Sequence, residues 1–342
     1  MRIICFIGKL VVAIGLCIVL AAALVAFWPM KPPALEPDIQ PVESFQDALR
    51  LIDDLQAQMP AHVRPECRGL VMHHGGPTKR VYVLMHGLTN CPAQFKAFGR
   101  MLFEGGANVV IPRLPYHGFS EGLDNKQVFV TAENMIAVAQ AAVNLAHGLG
   151  DEVCVVGLSV NGTIAAWIAQ NRSDLHTVMV ISPFLAPPGL PAWGIAPLTR
   201  FIGRLPNKLV WWDPKLQDTL EGPEHSYRRF ATHSLAWVMA IGLNTFRSSL
   251  TSPPQAARII MVNSESDVAI SLPRAEALAQ NWQNTAPEKI TNFVFPKDLD
   301  VPHDSIDPTQ PGARTEIVYP VLLELLEESA CAPRDSNPEP KD

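Results

Sequence analysis

The feature that most limits what this chain can fold into is a rhythm. Short runs rich in β-branched residues, RVYVLM (80–85), ANVVIP (107–112), EVCVVGL (152–158), TVMVIS (177–182), RIIMVN (258–263) and ITNFVF (290–295), alternate with longer stretches whose apolar residues recur at helical spacing. The helical stretches are PAQFKAFGRMLFEGG, TAENMIAVAQAAVNLAHGLG, GTIAAWIAQNR, PRAEALAQNWQN and EIVYPVLLELLEE. Apolar runs without polar alternation suit strands buried on both faces, and strands separated by helices build parallel sheets. The expected fold class is therefore α/β, a mostly parallel sheet flanked by helices. In such sheets ligands bind beyond the carboxyl ends of the strands, so the chemistry is to be sought there.

The rhythm breaks at about 183–250. This insertion is proline-rich and holds Trp193, Trp211, Trp212 and Trp237, four of the chain's seven tryptophans, and it reads as a lid over a pocket. The whole domain is expected over 42–328, with a proline-rich linker at 31–41 and a disordered tail at 329–342. Ahead of the linker, residues 10–28 carry no charge, long enough for roughly 30 Å of hydrocarbon at about 1.5 Å per residue. Arg2 and Lys9 precede this run, whereas Glu36, Asp38 and Glu43 follow it, which leaves the N-terminus cytoplasmic. Residues 1–30 are thus expected to be a membrane anchor or signal segment, a single transmembrane helix that puts the domain on the periplasmic or extracellular side. Cleavage of that segment would make the protein secreted. A net charge of −6 without any Lys/Arg stripe argues against a nucleic-acid partner.

The run 153–162 reads VCVVGLSVNG, an apolar strand that ends at a lone serine. A hydroxyl is a poor nucleophile unless a base takes its proton, and a tight strand-to-helix turn is one way to hold it where a base and a carbonyl carbon both reach it. Gly157 and Ser159 match the start of the G-x-S-x-G elbow, but Asn161 stands where the last glycine belongs and Gly162 follows it. Two other strands end in HGLTNCP (86–92) and PRLPYHGFSEG (112–122), and later ones lead into SESDVAI (264–270) and VPHDSI (301–306). Taken together these motifs resemble the α/β-hydrolase superfamily, in its esterase, monoacylglycerol-lipase-like and serine-aminopeptidase-like branch, over about residues 65–328.

The resemblance implies an α/β-hydrolase fold and assigns roles. Ser159 becomes the nucleophile, His303 the base and Asp267 its orienting acid, in the chain order of that family. Ser264 and Ile270 depart from the family's G-x-x-D-x-x-V pattern around the acid, and Glu265 remains a competitor. The backbone N–H groups of Leu88 and Val160 become the oxyanion donors, while His86 and His117 shape the pocket, His86 by bracing the oxyanion loop. MHHGGP (72–77) reads as a hairpin turn and not as a metal or oxyanion motif. Cys154 lies inside a strand and reads as a core residue, which leaves Cys67, Cys91 and Cys331 as partners for one another in an exported domain. With the oxyanion loop placed, a Cys67–Cys91 disulfide that pins it is the expectation. The implied activity is cleavage of carboxylic esters with an apolar, lipid-derived acyl group through an acyl-enzyme, with no metal or cofactor. An acyltransferase, a serine aminopeptidase and a non-catalytic binding module are the alternatives, the last resting on Asn161 alone.

Overall fold

The computed structural model describes residues 12–16, 20, 33, 35–120 and 125–327. The sheet has seven strands, β1 (Leu70–Met72), β2 (Thr78–Met85), β3 (Asn108–Ile111), β4 (Gly150–Leu158), β5 (Thr177–Ile181), β8 (Arg258–Ser264) and β9 (Ile290–Phe295), in the order β1-β3-β2-β4-β5-β8-β9. Six are parallel and β1 alone runs antiparallel, on β3. The six strands expected from the sequence are all present. β1 went unread because it is three half-buried residues long, too short to show a period. The Gly75–Gly76 turn does join two strands, yet it is no hairpin: β3 lies between β1 and β2.

Strand periodicity divides the core into two layers. Val81, Val83, Val153, Val155, Val178 and Val180 face helices α3 (Ala132–His147), α4 (Val160–Asn171) and α7 (Leu272–Thr285). Their alternates Tyr82, Leu84, Cys154, Val156, Met179 and Ile181 face α2 (Lys96–Glu104) and α8 (Thr315–Glu327). Cys154 is indeed a buried core residue with a free thiol. The central stretches of these strands are thus apolar on both faces for a packing reason, which is why the runs in the sequence lack alternation.

The inserted stretch forms α5 (Ala192–Ile202), a two-stranded ribbon of β6 (Leu209–Trp211) and β7 (Arg229–Ala231), and α6 (Thr232–Ser249). The ribbon and α5 make a cap. The last helix does more: Val238, Met239 and Ile241 join the same apolar layer as α4, so the insertion contributes to the core as well as covering the site.

The proline-rich stretch before the domain is not free along its length. The Glu36 carbonyl accepts from Gln140 Nε2 at 3.2 Å, and the Asp38 carbonyl accepts from Asn144 Nδ2 at 3.1 Å and Arg172 Nη1 at 2.9 Å. The Val42 N–H donates to the Asn144 carbonyl at 2.9 Å. From residue 44 back to residue 36 this strap climbs from the C-terminal end of α3 toward its middle, in the direction of the sheet's carboxyl edge. Helix α1 (Phe45–Ala57) follows, its N-terminus closed by Ser44 Oγ, which accepts from the Asp47 N–H.

Among the described residues no helix is long and apolar enough to cross a membrane. Most of the expected span at 10–28 lies outside them, as do Cys331 and the tail at 329–342.

Candidate active site

Ser159 sits between β4 and α4 with φ +60° and ψ −115°, a conformation L-residues avoid. Its neighbours hold it there. The Ser159 N–H donates to the Ile181 carbonyl at 2.9 Å, and its carbonyl accepts from Thr163 N and Phe184 N, each at 3.0 Å. Both nearby glycines are sterically required: a Cβ on Gly157 would lie 2.2 Å from the Asn161 carbonyl oxygen, and one on Gly162 would lie 2.6 Å from that of Ile181. The close helix–strand approach therefore falls at Gly162, one place beyond the usual position. Asn161 is free to carry a side chain, and it donates through Nδ2 to the His86 carbonyl, joining the serine's helix to the loop after β2.

His303 comes from the loop after β9, and Asp267 from the turn after β8. His303 Nε2 lies 2.9 Å from Ser159 Oγ, and His303 Nδ1 lies 2.7 Å from Asp267 Oδ2. The three expected residues thus form one continuous hydrogen-bonded relay. Asp267 is buried, and its Oδ1 accepts from the Ala269 N–H at 2.8 Å. Burial pushes its carboxyl up, but the His303 hydrogen bond and charge outweigh this and hold it below the ordinary 3.8. For His303 burial pulls the imidazole down, and Asp267 more than compensates, leaving it above 6.5. Glu265, the competing acid, is exposed and accepts from the Lys297 N–H, so it stands outside the relay. Ser264, in the family's glycine position, ties the two loops together by donating to the Val301 carbonyl at 2.7 Å.

Leu88 and Val160 both line the cavity at Ser159. Val160 opens α4, so its N–H has no acceptor within the helix. His86 is fully buried; its Nε2 accepts from the Leu114 N–H at 3.1 Å, which leaves the proton on Nδ1 to donate to the Gly87 carbonyl at 2.9 Å. Burial holds it well below 6.5 and hence neutral. His117, 5.7 Å away ring to ring, is likewise buried and pushed down to about 4. Neither histidine reaches the serine in the hydrogen-bond pattern.

The loop that carries Leu88 is held from three sides. Cys67 and Cys91 form a disulfide, as expected, immediately after the loop. From the cap, Trp212 Nε1 donates to Thr89 Oγ1 at 2.9 Å, and the Tyr227 N–H donates to the Thr89 carbonyl at 2.6 Å. From below, Gln94 Oε1 accepts from the Gly87 N–H at 2.7 Å. Gln94 and Tyr227 went unread in the sequence, and Trp212 and Asn161 were noted there without their partners, since single polar contacts across distant segments leave no periodic signal. The cavity they enclose has about 260 Å³ and is walled largely by Leu88, Leu158, Phe184, Trp212, Leu220 and Leu235, with Arg228 and Glu221 among its polar residues. No cluster of three or more metal-ligating side chains occurs among the described residues.

Known proteins place this architecture. The alpha/beta hydrolase family model matches residues 82–313. The fold is similar to that of a monoacylglycerol lipase from Paleococcus ferrophilus (18% identity, TM-score 0.59, covering 75% of this chain and 97% of that one). It is also similar to the metagenome-derived lipolytic enzymes LipS and LipT (16%, 0.58, 77% and 98%). A soluble variant of the monoglyceride lipase of Saccharomyces cerevisiae gives 12% identity and a TM-score of 0.55, over 75% and 89% of the two chains. At these identities the likeness is one of fold. No curated protein matches the sequence. With more than half of its length matched by that model, the chain belongs to the alpha/beta hydrolase family.

Proposed function

We propose that the protein is a serine hydrolase that cleaves carboxylic esters with an apolar acyl group. The observation that carries this reading is the unbroken relay from Ser159 Oγ through His303 to Asp267 at the wall of an apolar cavity. Ser159 attacks the ester carbonyl as His303 Nε2 takes its proton, and Asp267 keeps the imidazole in the tautomer with Nδ1 protonated. The oxyanion forms against the Leu88 and Val160 amides, and the alcohol leaves with the proton that His303 returns. Water repeats the sequence on the acyl-enzyme. The monoacylglycerol and monoglyceride lipases of similar fold agree with an ester substrate. Asn161, the one residue that favoured a non-catalytic module, has a structural job within the elbow.

At about 260 Å³ the cavity falls below the roughly 300–1,000 Å³ of sites that enclose a drug-sized ligand, so a short acyl chain fits best. With residues 10–28 as a membrane span, the domain works on the non-cytoplasmic side of a bilayer. The test pairs the protein with its Ser159→Ala variant, using a fluorophosphonate probe and p-nitrophenyl esters of increasing length. Labelling and turnover should vanish in the variant, and the butyrate ester should outpace the palmitate. A folded wild-type protein that neither labels nor cleaves any ester would overturn the reading.

A further inference from the structure

One buried carboxyl beside the relay makes no hydrogen bond within it. Asp304 follows His303 directly, yet its Oδ2 accepts from Gln94 Nε2 at 2.9 Å and from Asn90 Nδ2 at 3.3 Å. Gln94 in turn accepts, through Oε1, from the Gly87 N–H at 2.7 Å. Gly87 and Asn90 bracket Leu88 and Thr89, so this single carboxyl reaches both ends of the turn that carries one oxyanion donor. It also belongs to the loop that carries the base. Among the described residues Asp304 has no ion-pair partner, and burial, opposed by the Gln94 hydrogen bond, pushes its carboxyl up to about 6. A buried carboxyl without a cation is costly for the fold, and hydrophobic packing could have filled the same space.

We propose that Asp304 is a positioning residue for ester cleavage: through Gln94 and Asn90 it fixes the Gly87–Asn90 turn, and with it the Leu88 amide, relative to His303. The proposal rests on the serine-hydrolase reading of the site. Its logic is geometric. An oxyanion donor works only within hydrogen-bond distance of where the charge develops, and a displacement of the order of 1 Å forfeits much of its effect. Two loops from opposite ends of the chain must therefore keep a fixed separation during two successive attacks. Asp304 links them through side chains, directly to Asn90 and by way of Gln94 to Gly87.

In the full-length protein, Asp304→Ala and Gln94→Ala are each expected to lower kcat about 10- to 100-fold, less than outright loss of an oxyanion donor, while KM stays within about twofold. The Ki of a trifluoromethyl ketone, whose adduct places an oxyanion in the hole, should weaken by the same factor as kcat/KM. The double variant should be no slower than the slower single one, because both break one chain of bonds. Asp304→Asn, whose amide oxygen still accepts from Gln94, should recover most of kcat. Unchanged kcat with only a lower Tm, or effects of the two variants that multiply, would overturn the proposal. Should Asp304→Ala not fold, Gln94→Ala and Asp304→Asn decide between the same outcomes. An inactive wild-type protein is a separate result, since it removes the hydrolase reading itself.

Discussion

At Ser159 the backbone occupies a region that costs an L-residue about 1–3 kcal/mol, and the surrounding contacts are what sustain it. The sequence shows the serine, but not how the elbow tolerates Asn161. That required knowing that Gly162, and not residue 161, meets the neighbouring strand. The sequence favours Asp267 as the acid and keeps Glu265 as its competitor because both lie on one short turn, and only the direction of the turn separates them. A pH prediction belongs at this scale. As the base of the proposed mechanism His303 must be neutral, and Asp267 raises its pKa above the ordinary 6.5, so protonation would shut it off from a higher pH than for a free imidazole. The acidic limb of kcat/KM is expected to have its midpoint above 6.5. Asp267→Asn should remove that support and lower kcat by about 10³–10⁴, since the imidazole then loses its fixed tautomer. A full pH–rate profile of both proteins checks the two statements together.

Strands and helices were legible where they are long and buried. All six longer parallel strands stand where their apolar runs lie, while β1, β6 and β7, three residues each, escaped notice. Helix α1 was missed although Phe45, Ala48, Leu49 and Ile52 recur at helical spacing and pack on the core, because it lies ahead of the first strand and outside the strand–helix rhythm. The segment after β2 has several fasteners, and the disulfide is the covalent one. It closes a separation of 24 residues, for which the chain-entropy model gives a stabilisation of about 3 kcal/mol. The Cys67→Ala/Cys91→Ala variant should lose roughly that much in denaturant unfolding. Because the disulfide follows the Leu88 turn directly, its kcat should fall more than its KM rises. An unfolding midpoint equal to that of the wild-type protein would mean that Asp304, Trp212 and Tyr227 suffice to hold the loop.

For the whole molecule, the sequence disclosed the sheet and the order of its functional groups, while long-range clasps stayed hidden. The strap over α3 shows this best: a proline-rich composition suggests an independent spacer, yet its carbonyls are met by Gln140, Asn144 and Arg172. Arg172 is fully buried, pairs with Asp174 at 2.6 Å and donates to Asn144 Oδ1 at 2.7 Å. Removing one partner from a buried pair costs about 3–5 kcal/mol. Arg172→Met should therefore lower stability by that order and free residues 35–42 for proteolysis ahead of the domain, which limited digestion and mass measurement would detect.

On the proposal that residues 10–28 span a bilayer, the strap would make the N-terminal segment a short leash. With a bilayer span ending at Trp28 and the chain held against the domain from about residue 35, the intervening stretch reaches at most about 25 Å when fully extended. A domain so tethered would not roam the surrounding fluid. Its encounters would be confined to a layer roughly one domain thick at the membrane surface, where the supply of substrate is set by density per unit area and lateral diffusion.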